Sequence, residues 1–141
     1  MENKATVITV QTTVNVPVAK AGQYWSEPEH ITKWNSASED WYTPKAENDL
    51  RTGGKFSSRM EAKDGSMGFD FEGIYDLVKD HEYIEYHMAD GRQVQIFFTE
   101  EGNQTIIVEQ FDAETQNPVE MQQAGWQAIM NNFKKYVESK L

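Results

Sequence analysis

The sequence contains no cysteine. Disulfides, thiolate metal sites and cysteine nucleophiles are therefore excluded. Positive charge is also scarce: 13 Lys and Arg stand against 23 Asp and Glu, a formal net charge of −10 at pH 7. Such a surface repels phosphate backbones and anionic bilayers, so neither a nucleic-acid partner nor membrane insertion is expected. No apolar run is long enough to span a bilayer, and Met1 is followed by Glu2, Asn3 and Lys4 rather than an apolar signal core. A soluble cytoplasmic protein is the expectation. A Gly-x-Ser-x-Gly elbow, a phosphate-cradling glycine loop and a dinucleotide fingerprint are missing too. Gly53 and Gly54 lead into a strand and so lack the helix dipole that phosphate sites use. Neither a cofactor nor a catalytic nucleophile is indicated.

What is present is a chain of 141 residues, enough for one domain with a real core, read here as residues 1–141. Aromatic residues make up 12% of it and include four Trp, a supply of large flat side chains that favours a bulky core or a pocket. The C-terminal segment, residues 117–141, reads as one long amphipathic helix. Asn117, Pro118 and Glu120 offer an N-cap, a first-turn residue and a capping-box partner. Val119, Trp126, Ile129, Met130, Phe133, Val137 and Leu141 recur at three- and four-residue steps on one face. That stripe is interrupted by Gln122, Gln123 and Gly125. Burying an unpartnered amide is costly, so the interruption predicts a polar, roomy spot beside Trp126.

Upstream, residues 5–14 alternate as a half-buried strand. Short helices are predicted from Val16–Pro17 to about Trp25, and from a cap at Ser26, Glu27, Pro28 and Glu29 to near Trp34. Residues 37–43 begin a strand that Pro44 is expected to interrupt. Alternating segments at residues 55–62, 67–78, 83–88, 93–99 and 105–111 follow, separated by turn signals at Asp64-Gly65, Asp90-Gly91 and Gly102-Asn103. In the second of these, Phe69, Phe71, Gly73, Tyr75 and Leu77 share one parity. The buried face of the last strand is left open, because both of its parities carry apolar residues. The order predicts an α+β helix-grip arrangement: a curved antiparallel sheet of about seven strands around a long C-terminal helix, with two short helices after the first strand.

Several phrases carry a family resemblance. The run from Thr12 to Val18, then Trp25, Glu27-Pro28-Glu29-His30-Ile31 and Trp34 resemble the opening of the domains named for the activator of heat-shock-protein-90 ATPase homologue. Asp49-Leu50-Arg51-Thr52-Gly53-Gly54-Lys55-Phe56, Gly73-Ile74-Tyr75 and Gly125-Trp126 fit the same pattern. These domains belong to the START-like superfamily, with the birch-pollen allergen, lipid-transfer domains and polyketide cyclases. The resemblance implies a helix-grip fold around an apolar cavity. It leaves function open, since one fold hosts many functions.

Candidate ligand-binding residues follow from inward parity and from the helix stripe. On the strands and short helices they are Trp34, Trp41, Phe56, Ser58, Met60, Phe69, Phe71, Tyr75, Tyr86, Ile96 and Phe98. On the long helix they are Gln122, Gly125, Trp126 and Ile129. Apolar walls with a few polar groups describe a small-molecule site. The three histidines, His30, His81 and His87, share no face, and no pair of them has ligand spacing, so neither a catalytic residue nor a metal site is named. The first expectation is thus non-enzymatic binding of a small hydrophobic or aromatic molecule. A cyclase- or hydrolase-like enzyme using the same cavity is the second, and a chaperone-associated interaction module, whose protein partner is unspecified, is the third.

Overall fold

The structure is a computed structural model and describes residues 6–140. The expectations at Ala5 and Leu141 lie outside those residues. Seven strands form one antiparallel sheet: β1 (Val7–Val14), β2 (Trp41–Asn48), β3 (Lys55–Ala62), β4 (Gly68–Lys79), β5 (Tyr83–His87), β6 (Gln93–Glu101) and β7 (Gln104–Asp112). Their order across the sheet is β1-β7-β6-β5-β4-β3-β2, and the sheet curls into a half-barrel. Helices α1 (Val18–Ser26) and α2 (Pro28–Trp34) carry the chain from one edge strand to the other, and α3 (Val119–Glu138) closes the concave side. The helix-grip architecture read from the sequence is the one observed.

Two bulges explain where simple alternation misleads. Pairing of β2 with β3 slips between Tyr42 and Lys45, so β2 runs on through Pro44 instead of stopping there. Proline lacks an N–H to donate, and the outermost position in the sheet needs none on the open side. A second slip, between Tyr75 and Leu77 in the pairing of β4 with β5, reverses the parity beyond it. Leu77 consequently faces outward at 37% exposure and Val78 packs against the core in its place.

The inward face of β7 is Thr105, Ile107, Glu109 and Phe111. The second apolar parity belongs to an outer-surface stripe, in which Tyr83 pairs with Phe97 and Phe97 with Val108 across three strands. Cross-strand aromatic and β-branched pairs of this kind stabilise a sheet on its wet side.

Helix α3 buries Met130, Phe133 and Val137, while Val119 is left exposed. Its start differs from the expected one: Pro118 occupies the N-cap position, and no side chain caps the helix. Asn117 serves through its backbone, donating its N–H to Glu114 Oε1 and accepting from Gln122. The polar gap in the stripe has the same explanation. The Gln122 amide accepts from the Glu114 N–H at 2.9 Å and donates to the carbonyls of Glu114 and Asn117 at 3.1 and 2.8 Å. It clamps the β7–α3 connection and does not open a hollow. Gln123 donates to the Thr9 carbonyl, and Gln127 both donates to the Gln11 carbonyl and accepts from the Gln11 N–H. Helix and first strand are thereby joined through backbone groups on the open side of β1.

Replacing Gln122 by Ala strips three backbone groups of their partner. We expect the Gln122→Ala variant to lose about 1–3 kcal/mol of unfolding free energy in urea titrations, with the far-UV spectrum of the native state unchanged.

Candidate functional site

Because α3 rests against β1, α1 and α2, the strands in the middle of the sheet are left facing open space. A cavity of about 330 Å³ lies there. Its floor is built on β3, β4 and β5. Phe56 sits with its ring centroid 4.7 Å from Tyr86, 5.3 Å from Tyr75 and 5.6 Å from Phe71. This arrangement depends on Gly73, since a Cβ there would come within 2.5 Å of the Phe56 ring. The α3 wall is Trp126 and Ile129, with Trp126 stacked on Phe111 at 3.8 Å and 13°. The wall toward the short helices is Trp34, whose indole donates to the Tyr24 carbonyl at 3.0 Å. Trp34 packs edge-on to Phe133 at 5.0 Å and tilted to Trp25 at 5.2 Å.

Of the residues expected from sequence, Ser58, Met60 and Ile96 also line the cavity, and Phe69 stands half-exposed at its rim. Four do not line it. Trp41, opposite Ala62 at the start of β2, packs on Phe69 at 5.9 Å, outside the lining. Phe98 points inward, but under α1, against Trp25 and a smaller hollow of about 180 Å³. Gln122 is the clamp already described. Gly125 has nothing within 4 Å of where its Cβ would stand and is no part of the lining.

The polar lining is mostly what the sequence reading missed. Asn48, at the end of β2, accepts from the Tyr75 hydroxyl at 2.5 Å and donates to the Ser26 carbonyl at 2.6 Å, linking two strands to the end of α1. Arg92 reaches the cavity while its Nε donates to Asp90 at 2.7 Å. Glu109 is the outlier. It is 7% exposed, lines the cavity and makes no side-chain hydrogen bond or ion pair to another described residue. Burial alone pushes its carboxyl up to about 8 from an ordinary 4.5. Burial and the nearby Glu109 charge also hold the Tyr86 hydroxyl well above its usual range. The signal for Glu109 lay in the sequence as the unassignable parity of β7: an acid occupies an inward position where an aliphatic residue is expected.

None of the histidines reaches this cavity. His30 Nδ1 lies 2.7 Å from the Tyr136 hydroxyl and ties α2 to α3. His87 pairs with Asp76 at 2.8 Å on the outer face, and His81 sits in the β4–β5 turn beside the smaller hollow. Potential ligand atoms of Glu27, Glu29 and His30 approach within 4.8 Å of one another at the start of α2, away from the cavity. No helix among the described residues is long and apolar enough to cross a membrane.

Comparison with known proteins adds a family and a set of shapes. The family described as "Activator of Hsp90 ATPase homolog 1-like protein" matches residues 15–138. The chain is 41% identical to an AHSA1-like protein from Aeromonas hydrophila, covering 96% of this chain and 94% of that one with a TM-score of 0.89. It is 55% identical to Chr148 from Cytophaga hutchinsonii, covering 94% of this chain and 92% of that one, with a TM-score of 0.82. Protein CV1439 from Chromobacterium violaceum shares the fold at 20% identity and a TM-score of 0.84, over 94% of this chain and 98% of that one. Comparison with curated proteins brings no match.

The Glu109 carboxyl gives a stability test with a definite sign. Its folded pKa is raised, so its contribution is fully present below about 4.5 and is lost as pH rises through about 8. We expect Glu109→Gln to be more stable than the parent at pH 9, by on the order of a few kcal/mol, with the gap shrinking toward pH 5 in urea titrations.

Proposed function

We propose that this chain, which belongs to the Activator of Hsp90 ATPase homolog 1-like family, is a binding protein for a small hydrophobic or aromatic molecule held between the sheet and α3. The observation that carries the reading is the cavity of about 330 Å³, walled by Phe56, Phe71, Tyr86 and Trp126 and supplied with few polar groups. Apolar walls with sparse, placed polar atoms favour a ligand that buries most of its surface and is oriented by one end.

Magnitudes assign the parts. Burying roughly 250 Å² of apolar ligand surface gains about 6 kcal/mol at 25 cal/mol per Å². Association itself costs about 4 kcal/mol or more. Apolar contact alone thus holds such a ligand weakly, and the polar groups decide which molecule stays. The reading takes the cytoplasm as the place of action.

An enzyme working in the same cavity is the second reading. What favours it is Glu109, an acid whose carboxyl holds its proton near neutrality beside the Tyr86 hydroxyl. Turnover abolished by both Glu109→Gln and Tyr86→Phe, with ligand affinity retained, is the result that would move the assignment to this reading.

The binding role is tested by filling the cavity. Ser58 is 5% exposed on the floor, where a larger side chain takes the ligand's space. The neutral dye N-phenyl-1-naphthylamine is expected to bind the parent and shift the Trp126 indole resonance, and to bind Ser58→Phe at least tenfold more weakly. If neither this dye nor a panel of fatty acids, aromatic polyketides and cationic amines with apolar bodies shifts Trp126, the reading fails.

A further inference from the structure

Glu109 is an acid placed where the fold has no use for one. Its backbone neighbours across the ladder are Val10 on β1 and Ile96 on β6, which share its inward face and are apolar. On β5 the Tyr86 hydroxyl is close enough to feel its charge; Tyr75 on β4 lines the same cavity, with its hydroxyl already committed to Asn48. On α3, Trp126 lines the same cavity and stacks on Phe111, the next inward residue of β7. Arg92 is the cation among the cavity-lining residues, and its guanidinium is bound to Asp90. Glu47, the other lining acid, is exposed at the mouth with Lys45 at 3.3 Å. Glu109 is therefore a carboxyl more than nine-tenths buried, opening into a cavity and without a side-chain hydrogen bond or ion pair among the described residues.

We infer that the cavity selects a molecule carrying a cationic nitrogen on an apolar body, with the nitrogen paired to the Glu109 carboxylate among the faces of Tyr86, Phe71 and Trp126. The inference rests on the small-molecule binding reading and names the class of ligand. A cation supplies the charge partner that the protein withholds, and an aromatic face attracts it further. The net charge of −10 draws cations toward the chain. An anionic ligand would meet a like charge at the buried end. A neutral one would leave the carboxyl protonated and gain a single weaker hydrogen bond.

The pairing has a pH signature. With the empty-site carboxyl near 8, a cation that binds at pH 7 displaces a proton at a cost of about tenfold in affinity, and at pH 9 it does not. Benzyltrimethylammonium is the probe, since its charge is fixed, and neopentylbenzene is its neutral isostere. We expect the cation to bind at least tenfold tighter than the isostere at pH 9, and its affinity to rise about tenfold from pH 7 to pH 9. Both effects should vanish in Glu109→Gln, whose fold is checked by its amide spectrum. In the parent protein, the titration midpoint of the Glu109 carboxyl carbon should fall by a unit or more when the cation is added. Equal or tighter binding of the isostere, or a cation preference that survives Glu109→Gln, overturns the inference and leaves the cavity reading standing. Binding of neither probe overturns both.

Discussion

The attachment of α3 to one side of the sheet governs the rest of the molecule. The stack of Trp126 on Phe111 and the paired bonds of Gln127 to Gln11 fix the helix over β1 and β7. A helix about 10 Å wide cannot also cover the far strands of a seven-stranded sheet. The curl of the sheet and the two short helices close the remaining sides, and the rings of β3, β4 and β5 occupy only part of what they enclose. A hollow in this fold is thus a result of where the helix is pinned, rather than of any shortage of large side chains.

How much of this was legible in the residues depends on which rule governed each element. Alternation and the turn pairs Asp64-Gly65, Asp90-Gly91 and Gly102-Asn103 are local chemistry, so strands and hairpins could be read directly. The bulges at Tyr42 and Tyr75 are not written in periodicity: the one in β2 lets the strand run on through Pro44, and the one in β4 turns Leu77 outward. Gln122 was misread for a different reason. A buried amide suggests a void only if it lacks partners, and its partners lie on a connection whose path the sequence does not give. Glu109 and Asn48 were missed because polar residues on a strand are assumed to face water. Their inward placement follows from registers fixed by the whole sheet.

The same two residues show how the site departs from the core around it. Phe111, Phe133 and Ile107 satisfy every requirement of packing, and their neighbours are apolar. Asn48 satisfies its burial by bonding at both ends of its amide. Glu109 forms no side-chain hydrogen bond or ion pair with another described residue, and its carboxyl opens onto the cavity instead. A residue that lowers stability without helping the fold is the kind of local departure that accompanies functional sites in general.

The joining of α3 to β1 reaches beyond the cavity. At Gln11 the outward backbone amide and carbonyl are already occupied by a side chain from the same molecule, and at the opposite margin β2 carries Pro44 and a kink. A strand from another copy arriving at either border finds part of the hydrogen-bonding register spoken for or missing. The architecture thereby hinders sheet-to-sheet growth without closing into a barrel, and the hollow between helix and sheet stays open on one side.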